Sequence, residues 1–419
     1  MKQAWIKTTL ALAIGALSTQ AMANGLAINE HSASGMGTSF AGRSSNVLDA
    51  STVAANPAGM SKLERREVSG GLAFIHALTD IEPAAGNASG TTDGDMVPFS
   101  TIPFGYYVTP INDKLHFGLG LYVPFAVASD YEKNFQGRYK GLHSAVEVVH
   151  LQPTISYKVN DQVSVGAGLV ISRIYGKLTN NLTFNSALPD AKVDIEGDDI
   201  AYGFNAGVLV DINDQLSWGL TYKSQIKYGL EGDTKVSDVH ALTGMDTLNG
   251  TYDATVDITM PESIDTSVTY RLDDQWTLYG GATWTRWSRL DALVVKNKDA
   301  HPALTELTED LKWEDTWSFA VGASYQLNPQ WVLRAGLALD ESPTNDTHRT
   351  TRIPVSDRTI FSVGAGWNIN QDMTLDLAYS YLMEDEGKID QEAKTYQPGY
   401  SAKYENSAHG LAAQLTYRF

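Results

Sequence analysis

Ile212-Asn213-Asp214-Gln215 is a short polar turn between two runs of alternating apolar and polar residues. Five other stretches have a similar sequence and are flanked by similar alternating runs: Pro110-Ile111-Asn112-Asp113, Val159-Asn160-Asp161-Gln162, Leu272-Asp273-Asp274-Gln275, Leu327-Asn328-Pro329-Gln330 and Ile369-Asn370-Gln371-Asp372. Asn and Asp tolerate the left-handed and bridge conformations that tight hairpins use. Between consecutive tight turns the chain makes a much longer polar excursion. Tight turns at one end and long loops at the other are typical of an outer-membrane β-barrel.

The runs between the turns alternate with period two. In the last run, Leu411, Leu415 and Tyr417 share one face, and the opposite face carries Gly, Ala, Gln and Thr. A soluble two-sheet sandwich would expose far more Lys and Glu on that second face. The predicted fold class is therefore all-β, a 14-stranded antiparallel transmembrane β-barrel. The predicted strands are 67–80, 96–110, 114–127, 145–159, 162–179, 194–212, 215–232, 251–272, 275–296, 312–327, 330–341, 356–369, 372–386 and 404–419.

Four tryptophans lie within a few residues of a tight turn: Trp218, Trp276, Trp331 and Trp367. Such a ring predicts an aromatic girdle at the membrane interface. The alternative is that these residues are scattered core positions.

The chain has 419 residues, no cysteine and a formal net charge of −18. Residues 1–23 predict a signal peptide, with Lys2 and Lys7 before an apolar core and a cleavage site near Ala23. The acidic balance argues against nucleic acid as a partner. Without cysteine there is neither a disulfide framework nor a thiolate metal site.

Residues 24–66 precede the first strand and show no strand alternation. They are rich in small residues, as in Ser32-Ala33-Ser34-Gly35-Met36-Gly37. A disordered tail is one interpretation. The density of Ala, Gly and Met favours a compact plug inside the lumen, so the predicted domains are 1–23, 24–66 and 67–419.

Two groups of motifs stand out. The N-terminal group is Gly25-Leu26-Ala27-Ile28-Asn29-Glu30, Ser34-Gly35-Met36-Gly37 and Asn56-Pro57-Ala58. The later group is Arg334-x-Gly336, Asp340-x-Ser342-Pro343, Arg352-x-Pro354 and Asp357-Arg358. In order and spacing they resemble the FadL family of long-chain fatty acid and hydrocarbon transporters, in which the N-terminal motifs belong to the hatch (plug). The resemblance implies a fourteen-stranded outer-membrane barrel closed by a hatch. It also implies substrate capture between extracellular loops, an internal pocket near the mature N-terminus, and lateral exit through a kinked third strand.

The sequence offers its own candidate for that kink. Pro124 stands near the end of the third predicted strand, where a proline removes a ladder donor and a closed barrel provides no edge. Gly118, Gly120, Pro124 and Phe125 are therefore the candidate lateral exit. The alternative is a harmless proline at the strand end.

Two valines of the fourth strand, Val146 and Val148, face inward by parity. With Leu26 and Ile28 of the hatch they predict an apolar pocket, unless they only pack the hatch against the wall. Arg334 is a candidate for binding a substrate carboxylate. The stronger interpretation makes Arg334 a structural anchor of the hatch, together with Asp340, Asp357 and Arg358, since unpaired charges in a plugged barrel are costly.

Two loops carry exposed apolar residues that could capture substrate. Residues 181–193 contain Leu182, Phe184 and Leu188, and residues 233–250 contain Val239, Leu242, Met245 and Leu248. The spacing of Ala303–Leu311 predicts a short helix in another loop.

The expected function is passive uptake of long-chain fatty acids or similar hydrophobic molecules, with no cofactor and no metal. A general diffusion porin for small polar solutes is the alternative, and an enzyme is disfavoured because the nine His are scattered. Expected partners are the hydrophobic substrate, outer-membrane lipid and lipopolysaccharide, and the barrel-assembly machinery, which reads the terminal Phe419. The protein is expected to be a monomer.

Overall fold

The computed structural model describes residues 25–419, so the predicted signal peptide and its cleavage site lie outside the described residues. Its strands, in chain order, are β1 Glu67–Pro83, β2 Ser100–Pro110, β3 Leu115–Asp130, β4 His143–Lys158, β5 Val163–Leu182, β6 Ala191–Asp211, β7 Leu216–Lys223, β8 Ile226–Ser237, β9 Gly250–Met260, β10 Ser263–Arg271, β11 Trp276–Thr285, β12 Ala292–Asn297, β13 Glu306–Asp310, β14 Thr316–Asn328, β15 Trp331–Asp340, β16 Arg358–Asn368, β17 Met373–Glu384, β18 Gly387–Gln391 and β19 Tyr400–Arg418. The helices are short, at Ala33–Met36, Thr52–Ala55, Pro57–Lys62, Ala241–Thr243, Asp246–Leu248 and Trp287–Arg289. Within residues 25–419, none of them is long and apolar enough to cross a membrane.

The described strands form fourteen passes, because five passes are each interrupted once: β7/β8, β9/β10, β11/β12, β13/β14 and β17/β18. Neighbouring passes are antiparallel, and β1 pairs with β19 from Glu67↔Arg418 to Pro83↔Ala402. The sheet therefore closes on itself, and the predicted 14-stranded antiparallel barrel is confirmed.

The six recurrent turns share one hydrogen-bond arrangement. In the first, the Asn112 side chain accepts from the backbone N–H groups of Lys114 (3.0 Å) and Leu115 (2.9 Å). The equivalent acceptors of the other turns are Asn160, Asn213, Asp273, Asn328 and Asn370. None of these six described residues has a positive φ, so of the two conformations named above they do not use the left-handed one. Asn and Asp are used here because their side chains replace a backbone acceptor in the turn.

Four consecutive passes bend inward at one level, where β7/β8, β9/β10, β11/β12 and β13/β14 are interrupted. Pro261 stands at one of these interruptions, in agreement with its inability to donate a ladder hydrogen bond. The bends turn Trp287 and Trp313 into the barrel, where both rings are buried. These bends give the lumen an apolar floor that regular strands would not provide.

Residues 25–66, the N-terminal segment, pack against the inner face of the wall on several sides. Gly219 lies against the Ser44 backbone and Gly336 against the Thr38 backbone, so closely that any side chain at either glycine would overlap them. Asn56 donates to the carbonyls of Ser44 (2.6 Å) and Val208 (3.0 Å), and its own oxygen accepts from Ala58 N–H (3.0 Å). This segment therefore fills the bore of the barrel.

One side of the barrel lacks regular pairing. The β2–β3 ladder ends at Gly105↔Leu121, although β2 continues to pair with β1 up to Ser100. We call this region, Ser100–Phe104 of β2 and Tyr122–Ala126 of β3, the open flank. Across the barrel, β14 to β17 form uninterrupted ladders above their periplasmic ends, and we call these four strands the closed flank.

Candidate functional site

An apolar cavity lies in the outer half of the barrel, above the inward bends. Its empty volume, with the open solvent at its mouth included, is about 920 Å³. Leu26, Val146, Ile174, Leu230 and Trp313 are among its lining residues. Since most of the lining is aliphatic or aromatic, the cavity suits a hydrophobic ligand.

The N-terminal segment enters the floor of this cavity. Gly25 has φ +64°, and a Cβ atom there would lie 2.9 Å from the Trp313 ring and 3.2 Å from the Trp287 ring. The two indoles meet edge to face, with ring centroids 5.1 Å apart. Only glycine satisfies both the left-handed backbone and the space between the rings, and this places Leu26 against the ligand space.

Of the predicted pocket residues, Leu26 and Val146 line the cavity, whereas Ile28 and Val148 do not. Ile28 belongs to a separate apolar cluster that includes Val123 and Ala126. Val148 lies opposite Phe125 in the β3–β4 ladder and is fully covered. Inward parity alone did not distinguish a residue facing the cavity from one beneath the N-terminal segment.

The open flank begins at a bulge in β3. Tyr122 pairs with His150 and Phe125 with Val148, so β3 has one extra residue between these pairs. Pro124 lies within the bulge and can leave its missing donor unpaired there. Beyond it, β3 binds the N-terminal segment: Ile28 N–H donates to Pro124 O (2.8 Å), and Ala126 N–H donates to Leu26 O (2.7 Å).

Gly118 and Gly120 lie below this break. Both are in regular register with β2 and β4. A side chain at Gly118 would overlap Met60, and one at Gly120 would lie 3.2 Å from Val53. Their small size is therefore required for packing of the N-terminal segment, and both glycines lie in the regularly paired wall below the break.

Arg334 does not line the apolar cavity. Its Nη1 atom lies 2.6 Å from Asp376 Oδ1, and both side chains are buried. Gly37 packs beside it, where a Cβ atom would lie 3.2 Å from the Arg334 Cβ atom. Arg334 therefore packs against the N-terminal segment and pairs with Asp376, apart from the residues that line the cavity.

The other predicted anchors differ among themselves. Asp340 and Arg358 are buried and opposite each other in the β15–β16 ladder, and Arg358 Nε lies 2.7 Å from Glu384 Oε1. Asp357 is exposed and accepts from Ser342 N–H (2.8 Å). Its hydrogen bond therefore joins two ends of the loop between β15 and β16.

An outer vestibule lies between the long loops, and its empty volume, open solvent included, is about 2400 Å³. Leu182 and Leu248, from the two predicted capture loops, line it together with Leu304. Leu242, in contrast, is 79% exposed and does not line it. The predicted helix at Ala303–Leu311 is wrong, since Glu306–Asp310 forms strand β13 and pairs with β12.

Sequence reasoning missed the aromatic floor, and it quoted Arg352 only as part of a motif, without its partner Glu309. Both residues line the vestibule and the cavity. The floor had a signal in the sequence, since Pro261 and the segment 286–291 break the alternation. Arg352 lies in a loop and Glu309 in strand β13, and no local pattern brings them together.

His31 of the N-terminal segment is buried beside the rings of Phe40 and Tyr122. Burial, reinforced by the nearby cations Lys223 and Arg43, holds the pKa of this imidazole well below its usual range. His31 therefore stays neutral inside the barrel.

The chain matches a known protein family. The family described as "Outer membrane protein transport protein (OMPP1/FadL/TodX)" matches residues 14–419. The long-chain fatty acid transport protein of Escherichia coli O6:H1 is 26% identical over 448 residues, covering 100% of this chain and 99% of the relative. Outer membrane protein P1 of Haemophilus influenzae is 27% identical over 468 residues, covering 100% and 99%.

Solved structures of other proteins have a similar fold. A Pseudomonas aeruginosa FadL homologue is similar with a TM-score of 0.84 at 25% identity, over 94% of this chain and 100% of that chain. The Ralstonia pickettii toluene transporter TbuX has a TM-score of 0.66 at 17% identity, over 90% and 95%, which is a likeness of fold alone. The protein resides in the outer membrane and is a transport protein rather than an enzyme. The chain belongs to the OMPP1/FadL/TodX family of outer-membrane transport proteins.

Proposed function

We propose that this protein takes up long-chain fatty acids or similar hydrophobic molecules passively and releases them sideways at the open flank. The observation that carries the proposal is the loss of β2–β3 pairing above Leu121, next to an apolar cavity. A straight route down the bore would have to pass the N-terminal segment, which is buried over most of its length.

Three regions would act in sequence. The vestibule between the loops captures the substrate on Leu182, Leu248 and Leu304. The cavity then shields the hydrocarbon chain from water. Leu26 lines the cavity while its carbonyl binds β3 at the open flank, so the route to the flank passes this residue.

The Escherichia coli relative is named for long-chain fatty acid transport, and this supports fatty acids as the substrate class. The gene should restore growth on a long-chain fatty acid in a strain that lacks its own transporter. Influx of a small sugar in the same cells provides the control. Unchanged growth together with sugar influx would favour the diffusion porin instead.

A further inference from the structure

The vestibule and the apolar cavity meet at one ion pair. Arg352 and Glu309 line both spaces, and Arg352 Nε lies 3.1 Å from Glu309 Oε2. Most of the lining beyond this pair, toward Leu26, is apolar. An amphiphile whose chain fills the cavity would therefore bring its polar end to these two residues.

The arginine of this pair is firmly held. Its Nη1 atom donates to His143 O (3.3 Å), Ser144 Oγ (3.2 Å) and Thr179 O (3.2 Å), and its Nη2 atom donates to Asn180 Oδ1 (3.3 Å). These acceptors belong to β4 and β5, two long strands of the wall. The guanidinium is therefore a fixed cation, and it keeps its position whatever anion faces it.

The glutamate is loosely held by comparison. Its hydrogen bond to Arg352 Nε uses only Oε2, while the buried Oε1 has no hydrogen-bond partner among residues 25–419. Glu309 belongs to β13, a strand of five residues that pairs with β12. On the vestibule side stands Lys140, whose Coulombic interaction with Glu309 is favourable. A displaced Glu309 would therefore meet another cation.

We propose that Arg352 is a carboxylate receptor which Glu309 occupies when no substrate is bound. The carboxylate of an incoming fatty acid replaces Glu309 on the guanidinium, and its chain enters the apolar cavity. Only an anion can make this exchange without leaving a buried guanidinium unpaired. This inference rests on the proposed function and narrows it, because a neutral hydrocarbon leaves the ion pair in place and gains nothing from Arg352.

The test measures binding of a long-chain fatty acid and of the fatty alcohol of equal length to the full-length protein in maltoside micelles. With E309Q, the fatty acid should bind about tenfold more tightly, since its competitor has lost its charge, and the alcohol should bind unchanged. R352M should weaken the fatty acid by about tenfold and leave the alcohol unchanged. E386Q removes the carboxylate of the exposed Lys403–Glu386 pair (2.9 Å) and is the matched control for net charge.

Heat-modifiable electrophoretic mobility reports whether each variant is folded. Should R352M fail to fold, E309Q decides alone, because it removes one charge from a loosely held side chain. Unchanged fatty acid binding by folded E309Q would overturn the proposal, as would equal tightening of acid and alcohol. Failure of the wild-type protein to bind either ligand would refute the proposed function itself, which separates the two ideas.

Discussion

The open and closed flanks of this barrel are built from similar alternating sequences but differ in strand pairing and in the residues on their inner faces. In the closed flank, β15 and β16 pair without a break from Trp331↔Trp367 to Asp340↔Arg358. In the open flank, β3 leaves β2 after Leu121 and binds Leu26 and Ile28 instead. The inner face of the closed flank carries buried ion pairs, whereas the open flank adjoins the apolar cavity. Under the proposed function, the closed flank stabilises the barrel and the open flank provides the exit.

Deleting Pro124 should have the largest effect. The deletion removes the extra residue of the β3 bulge and leaves the β4 register intact on both sides, so β3 can run straight and pair with β2. Fatty acid uptake should then fall to the level of cells without the gene, while the barrel remains folded. Uptake of labelled fatty acid by whole cells is the measurement.

The closed flank offers a matched deletion. Leu327 is the extra residue between Gln326↔Val332 and Asn328↔Trp331, where β14 has a bulge of its own. Its deletion should leave uptake close to that of the wild type. Equal loss of uptake in both deletions would remove the distinction between the flanks.

Replacing Arg334 should change stability rather than transport. R334M leaves the Asp376 carboxylate buried without its partner, which should lower the free energy of unfolding by about 3–5 kcal/mol. Denaturant unfolding in lipid vesicles measures this loss. R334M/D376N, which removes both charges, should recover most of it. A large loss of uptake by a folded R334M protein would contradict the assignment of this flank to stability.

Acidification should act most weakly, through the N-terminal segment that joins the two flanks. His31 has a depressed pKa when buried and an ordinary one, about 6.5, when exposed. When the segment opens, the exposed His31 binds a proton at any pH below about 6.5. The free energy of opening therefore falls with pH, by about 2 kcal/mol at pH 5. Planar-bilayer conductance should rise between pH 7 and pH 5 in the wild type and change less in H31Q. An identical pH response of both proteins would exclude His31 as the cause.

Several features could be predicted because they are local. Period-two alternation gives fourteen passes, since each strand must present one face to lipid whatever its neighbours are. The six turns were also identifiable, although the reason given for their residues was incomplete: the Asn and Asp side chains act as hydrogen-bond acceptors. The resemblance to the FadL family supplied the expectation of lateral exit, and Pro124 marked a candidate position within the sequence.

The sequence by itself determined the closed antiparallel barrel, because alternation and turn chemistry act within a few residues of each other. It also supplied a proline at which β3 could depart from its neighbour. Only the tertiary structure decided which inward residues line a cavity, since Val146 and Val148 share one parity and differ in what covers them. It alone paired Arg334 with Asp376 and Arg352 with Glu309, because these contacts join residues 42 and 43 positions apart that only the closed wall and its loops bring together.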